Sequence, residues 1–122
     1  MKRSMFQAYV KDSRRAVALY QRAFDAKLLD SYLNPDGSYY HSELDVYGQV
    51  LAVSEAAGEV TPGESMQFCL HFEEGEEDRV RRAYDALKDG GTVLFPLGPC
   101  DYSPLMADLV DPFGVRWCVF IC

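Results

Sequence analysis

The sequence predicts an α+β fold in which one β-α-β-β-β unit is written twice. Two stretches carry most of this reading: His41-Ser42-Glu43-Leu44-Asp45-Val46-Tyr47-Gly48 and Asp111-Pro112-Phe113-Gly114-Val115-Arg116-Trp117 each combine strand-forming residues with a glycine at a tight turn. Tyr20 with Tyr84, Leu44 with Leu109, and Gly48 with Gly114 also recur at a nearly constant offset. Pro112 presets the backbone for a turn, and Gly48 and Gly114 supply the positive φ that closes a hairpin without a Cβ clash. Duplicated units of this kind commonly face each other across a shared groove, which makes that groove the expected seat of function.

In the first half, Met5 to Val10 reads as a strand, and Asp12 or Ser13 is placed to cap a helix through a side-chain oxygen. Ala16, Tyr20, Ala23 and Phe24 recur at helical spacing and predict a single buried stripe, with Arg14, Arg15 and Arg22 in solvent. Lys27 to Leu33 is a strand, Asn34-Pro35-Asp36-Gly37 a turn, and Ser38 to Val46 and Gln49 to Ser54 a hairpin. Glu55 to Ser65, rich in Ala, Gly, Pro and Glu, reads as the linker between module one (1–54) and module two (66–122) of a single domain. Module two repeats the order. Met66 to Phe72 is a strand, and the acidic run Glu73 to Asp78 places negative charge at a helix start, where the dipole favours it. Val80, Ala83, Tyr84 and Leu87 form the expected stripe of this helix, and Gly90-Gly91 ends it. Thr92 to Phe95 is a strand leading to a loop over Pro96 to Pro104, and Leu105 to Val110 and Val115 to Ile121 close the unit.

At 122 residues the chain can bury roughly two thirds of its unfolded surface without metal or disulfide staples. A formal charge of -7, with no Lys/Arg stripe, argues against a nucleic-acid partner. No apolar stretch approaches the roughly 20 residues of a membrane span, so no membrane partner is expected. Cys69, Cys100, Cys118 and Cys122 form no CxxC pair, and the N-terminus lacks a signal-peptide pattern; a cytoplasmic protein with free thiols is the expectation. There is no Gly-rich phosphate loop, nucleophile elbow or HExxH-type helix.

The helix Ala18-Leu19-Tyr20-Gln21-Arg22-Ala23-Phe24-Asp25-Ala26, the strand His41-x-Glu43-Leu44 with Gly48 after it, and Asp111 to Trp117 together resemble the glyoxalase/bleomycin-resistance/extradiol-dioxygenase group, the vicinal oxygen chelate superfamily, and within it the PhnB-like branch. That branch includes proteins labelled 3-demethylubiquinone-9 3-methyltransferase, although no glycine-rich βα turn is visible here to seat a methyl donor. The resemblance implies two βαβββ modules forming an open, cup-shaped mixed sheet with helices on the convex side, assembled as a homodimer. It also implies metal-ligand positions at Met5 or Gln7, Ala52 to Ser54, Gln67 and Cys118. Met and Ala offer a divalent ion no suitable donor, so the expectation is no metal and no cofactor.

Six residues are expected to bind ligand: Gln67, His71, His41, Glu43, Tyr102 and Cys118. His41 and Glu43 stand two apart on one strand and share a face; they form either a base or partial metal site, or a hydrogen-bonded pair at a sheet surface or dimer seam. Gln67, Cys69 and His71 share the face opposite Phe68, Leu70 and Phe72. They either line the cup or hold a histidine satisfied near the strand's end. Cys118, Phe120 and Cys122 alternate with Trp117, Val119 and Ile121, and Cys118 is either packing or a ligand contact. Tyr102, in the loop at Cys100-Asp101-Tyr102-Ser103, is either a lid over a ligand or a plug at a dimer seam. A bulge could bring Glu55 to a ligand position, or it simply opens the linker. Tyr39, Tyr40 and Tyr47 add aromatic surface for stacking or packing. The function these residues support is binding of a small organic ligand, with a metal-dependent lyase, isomerase or dioxygenase acting on a small oxygenated substrate as the alternative.

Overall fold

A computed structural model describes residues 1–63 and 65–122, so Glu64 of the expected linker lies outside the described residues. The chain divides into two compact units, Met1–Val60 and Thr61–Cys122. Unit one runs β1 (Phe6–Val10), α1 (Ser13–Phe24), β2 (Lys27–Leu33), β3 (Tyr39–Val46) and β4 (Gln49–Glu55). Unit two runs β5 (Phe68–Phe72), α2 (Glu77–Lys88), β6 (Thr92–Cys100), β7 (Ser103–Val110) and β8 (Arg116–Ile121). Each is a βαβββ module, as the duplicated pattern predicts.

The two sheets have matching topologies, β1-β4-β3-β2 and β5-β8-β7-β6, with one parallel pair (β1/β4, β5/β8) and two antiparallel pairs in each. Each sheet has one helix. In unit one α1 packs on β1, β3 and β4, burying Ala16, Tyr20, Ala23 and Phe24 as the helical spacing predicts. The sheet face of the same apolar character carries Ala8, Val10, Leu44, Val46, Leu51 and Val53, all buried. In unit two α2 buries Val80, Ala83 and Leu87, and the matching face carries Phe72, Ala107, Leu109, Trp117, Val119 and Ile121. Tyr84, expected in that stripe, is only half-buried; Lys88 Nζ sits 5.1 Å from its ring centroid, so the ring covers a lysine stem rather than entering the core.

Local chemistry differs from the sequence reading at two further places. Asp12 adopts a left-handed φ of 62° and makes no side-chain cap; Glu55 reaches from the end of β4 instead, its carboxylate accepting from the N–H groups of Asp12 (3.0 Å) and Ser13 (2.9 Å). The expected loop Pro96 to Pro104 is mostly strand, since β6 runs to Cys100 and β7 starts at Ser103, leaving Asp101-Tyr102 as the turn. β6 is an edge strand with register shifts, the setting in which Pro96 and Pro99 are tolerated. The Tyr47-Gly48 turn carries positive φ at both residues (51° and 90°), the signature of a two-residue hairpin whose twist matches its strands.

The turn at Asp111 is held by that residue's own carboxylate. Oδ1 accepts from Phe113 N–H (2.8 Å) and Val115 N–H (3.1 Å), and Oδ2 accepts from the buried indole N–H of Trp117 (2.9 Å). Asp111→Ala leaves that indole donor without its partner, and we expect a loss of roughly 2–4 kcal/mol in urea unfolding, with the midpoint falling and the slope unchanged. Gly91 permits a different close approach: a Cβ there would lie 2.4 Å from the carbonyl oxygen of Val110. Gly91→Ala should therefore lower the thermal midpoint, at a cost of about 1–3 kcal/mol.

Candidate functional site

Strand alternation sends the residues that are not under the helix to the opposite face of each sheet. In unit one the register places Gln7 beside Ala52, Ala52 beside Glu43, and Glu43 beside Asp30; Tyr32 pairs with His41 one step along. Glu43 is the centre of this face and is buried. Arg3, upstream of β1, grips it with two parallel bonds, Nη1 to Oε1 at 2.8 Å and Nη2 to Oε2 at 2.9 Å. His41 Nε2 lies 2.9 Å from the same Oε2. Arg3 first and His41 second hold the Glu43 carboxyl down at about 2, against the opposing effect of burial. An ionised carboxylate only accepts, so Nε2 of His41 is the protonated nitrogen. The Tyr32 ring is tilted over His41 at 6.4 Å, and its hydroxyl donates to Asp30 at 3.2 Å. On the β1 side, Gln7 Nε2 donates to Ser54 Oγ at 3.2 Å.

The expected pairing of His41 with Glu43 is thus present, and Arg3 completes it. Arg3 escapes sequence reading because it belongs to no element and precedes the first strand. Glu55 points to the helix side: its neighbour in the ladder is the buried Val10, and its carboxylate caps α1. It does not reach the face that carries Ala52 and Ser54, which corrects the slipped-register reading. Burial pushes its carboxyl up, but the N–H bonds from Ser13 and Asp12 and the charge of Lys11 outweigh that and leave its pKa lowered.

In unit two the equivalent face carries Cys69, Cys118, Asp108 and Phe95 in one row, and His71, Phe120, Met106 and Gly98 in the next. Asp108 occupies the position of Glu43, as the match of Leu44 to Leu109 implies once the offset is carried one residue back. It too is held by an arginine: Arg116 Nε donates to Oδ1 (3.0 Å) and Nη2 to Oδ2 (2.7 Å). Gln67 Nε2 donates to the same Oδ1 at 2.9 Å, and its Oε1 accepts from the Cys69 thiol at 3.4 Å. His71 stacks on Phe120 with ring centroids 4.8 Å apart and 14° between planes, and Tyr102 meets Phe120 edge-on at 5.7 Å and 89°. Tyr102 is 58% exposed, and its hydroxyl is turned toward the thiols of Cys118 and Cys100. Desolvation first, then those two thiols, push the Tyr102 pKa up to about 12. Burial pushes the Cys118 thiol up to about 11; the nearby Tyr102 hydroxyl opposes this in part, while Cys69, Asp108 and Cys100 add to it.

Unit two therefore brings Gln67, His71, Tyr102 and Cys118 to one face, as the alternation and the loop position suggest. Tyr102 arrives on a two-residue turn rather than on a long loop. The positions the resemblance assigns to metal ligands hold a methyl group at Ala52, an amide at Gln7 already bonded to Ser54, an amide at Gln67 bonded to Asp108, and a protonated thiol at Cys118. Among the described residues, no group of three or more His, Cys, Asp or Glu side chains is placed to hold a metal ion.

A family model for the glyoxalase/bleomycin resistance protein/dioxygenase superfamily matches residues 3–119. The chain belongs to that superfamily. The uncharacterized protein Mb0911c of Mycobacterium bovis is 27% identical over 117 residues, covering 88% of this chain and 75% of that protein. Among solved structures, a Bacillus cereus PhnB protein described as a putative 3-demethylubiquinone-9 3-methyltransferase superposes with a TM-score of 0.80 at 20% identity, covering 100% of both chains. A mutant of the fosfomycin resistance protein FosX from Listeria monocytogenes, complexed with Mn(II) and 1S,2S-dihydroxypropylphosphonic acid, superposes with a TM-score of 0.73 at 16% identity, covering 97% of this chain and 90% of that one. These structural likenesses extend the fold across a PhnB protein and a resistance protein.

The two carboxylate networks differ from the thiols in how they respond to pH and reagent. Because the folded pKa of Glu43 (about 2) lies below its usual 4.5, its stabilising contribution is fully present above pH 4.5 and is lost as pH falls through 2. Melting curves should show the wild type losing more of its midpoint across that window than Glu43→Gln, which has no carboxylate to protonate. With a disulfide thiol reagent, the exposed Cys69 and Cys122 should react first and Cys118 only when the protein is unfolded.

Proposed function

We propose that the chain is a PhnB-like small-molecule-binding protein that works without the divalent ion of the superfamily's metal-dependent members. The observation that carries this reading is the donor set: Ala52 and Cys118 occupy equivalent places on β4 and β8, and neither a methyl group nor a thiol that stays protonated up to pH about 11 suits such an ion. The ligand contacts we assign are Gln67, His71, Tyr102 and Cys118 in module two, and His41 and Glu43 in module one. In module two, the exposed His71 and Tyr102 rings stand around Phe120 and offer a flat, unsaturated group two stacking surfaces, while Gln67 supplies an orienting amide.

The working form we propose is a cytoplasmic homodimer of one continuous domain. Leu29, Tyr32 and Leu33 on edge strand β2, and Val93, Leu94 and Phe95 on edge strand β6, are exposed apolar residues of the kind a subunit contact covers. Four free cysteines fit a reducing compartment. None of the described helices is long and apolar enough to cross a membrane.

Elemental analysis of protein purified without chelator, combined with a thermal-shift screen of small aromatic and heteroaromatic metabolites, tests the reading. We expect no stoichiometric metal, at least one ligand that raises the midpoint, and a loss of affinity of roughly 3- to 10-fold for Tyr102→Ala or His71→Ala. Near-stoichiometric zinc, nickel, manganese or iron would replace this reading with a metal-dependent lyase, isomerase or dioxygenase. Light scattering at micromolar concentration should return twice the 13.8 kDa chain mass.

A further inference from the structure

We infer that module two carries a site for a soft monovalent cation of the copper(I) class, held in line between the thiolates of Cys69 on β5 and Cys118 on β8. Such a site shares only Cys118 with the organic-ligand contacts proposed above and does not need that ligand. Three observations carry it. First, Cys69 and Cys118 are direct partners in the parallel pair of β5 and β8, so both side chains leave the same face of the sheet at the same level. Second, both thiols are free, and the strand spacing keeps them so: neighbouring strands lie about 4.8 Å apart, whereas a disulfide draws its two Cβ atoms to about 3.8 Å. Third, Cys69 and Asp108 are the two neighbours of Cys118 in its row, and the Gln67 amide bonds both of them, accepting from the Cys69 thiol at 3.4 Å and donating to Asp108 at 2.9 Å, which ties that thiol into the row.

A separation too wide for a disulfide suits a metal bridge. A metal–thiolate bond is about 2.3 Å long, so two thiolates on opposite sides of one cation stand about 4.6 Å apart, close to the spacing of the strands. Two ligands in line satisfy a filled-shell monovalent ion, and thiolates are the ligands that select copper(I). Divalent ions take four or more, and among the described residues no group of three or more His, Cys, Asp or Glu could supply them. Cys100 also lies close enough to act on Cys118, yet the three thiols do not form a group placed around one ion. The pair is distinct from the metal-ligand positions that the resemblance assigns, since Cys69 is not among them and both ligands come from one module. Exposed Cys69 gives a cation its way in, while Cys118 is buried behind the Tyr102 and Phe120 rings. A formal charge of -7 draws cations to the surface.

Binding balances without any change of oxidation state. Both S–H bonds break, two copper–sulfur bonds form and two protons leave to solvent, so that a singly charged cation becomes a singly charged bis-thiolate anion. Burial keeps the proton on Cys118 against a weakly thiophilic ion, but the same basic sulfur forms the stronger bond once copper(I) displaces that proton. In air copper(I) passes to its divalent state, which this pair does not suit, so protein purified aerobically comes without it.

Copper(I), added under nitrogen to the reduced full chain in competition with a chromogenic copper(I) chelator, is the probe. We expect one tight equivalent per chain, release of two protons into weakly buffered solution, and an X-ray absorption spectrum with two sulfur neighbours. Bound copper should shield Cys69 from alkylation but not Cys122. Cys69→Ser, at an exposed position, should weaken binding by at least about 10²-fold, beyond what loss of an outer-shell partner costs. Cys118→Ala should do the same, and melting curves show whether that buried change still folds; if it does not, Cys69→Ser and the alkylation pattern decide. Cys100→Ser and Cys122→Ser should bind within a few-fold of the wild type. Three results would overturn the proposal: a wild type that takes up no tight copper(I), Cys69→Ser binding as tightly as the wild type, or a third sulfur in the spectrum that Cys100→Ser removes. All three leave organic-ligand binding intact, because the thermal-shift screen reads that separately.

Discussion

One helix per four-stranded sheet is the constraint from which the chemistry of this protein follows. Side chains alternate along a strand, so a helix that buries Leu44, Val46, Leu51 and Val53 necessarily leaves His41, Glu43, Ala52 and Ser54 on the other face. The same holds for Trp117, Val119 and Ile121 against Cys118 and Phe120. A carboxylate on such a face has the hydrogen bonds of its ladder neighbours already committed to backbone, and needs partners from side chains. Both modules meet that need with a two-pronged arginine, Arg3 on Glu43 and Arg116 on Asp108. Arg3 is exposed enough for solvent to screen its ion pair, so the grip serves geometry first.

The registers show how far the two copies have diverged around that shared carboxylate. Glu43 and Asp108 are equivalent, as are Gln7 and Cys69, Tyr9 and His71, Ala52 and Cys118, and His41 and Met106. Module one places an ionisable imidazole next to its acid, whereas module two places a thioether there and moves its histidine to the parallel edge. The arginines also differ in origin, one from the segment before β1 and one from β8. Module one consequently sets a histidine against its arginine-held acid, whereas module two surrounds its own arginine-held acid with aromatic rings and thiols. A protein built this way presents two different chemistries on one duplicated backbone.

Much of the fold is legible in the sequence because it depends on period and turn chemistry. The alternation along His41 to Asp45, Gln67 to His71 and Trp117 to Ile121 needs no partner strand to be read, and the glycines at 48 and 114 do take positive φ, at 90° and 88°. What escaped reading depends on residues distant in the chain. The cap on α1 comes from Glu55, more than 40 residues away. Arg3 meets Glu43 across a similar separation. The extent of β6 was hidden by Pro96, Gly98 and Pro99, which locally signal a loop but are compatible with an edge strand. Asp108 was within reach, since the offset joining Leu44 to Leu109 also joins Glu43 to Asp108.

The protonation states make the two faces complementary rather than redundant. In module two, burial is the first cause that raises both Tyr102 and Cys118, and each stays neutral to well above physiological pH, with values of about 12 and about 11. Neither is a base or a nucleophile near neutrality, so their contribution is shape and aromatic surface. In module one the opposite bias applies: a carboxyl held near 2 remains charged throughout the physiological range and therefore keeps polarising the imidazole bonded to it. The acid beside His41 is thus charged across the physiological range, while Tyr102 and Cys118 in the aromatic corner stay protonated there.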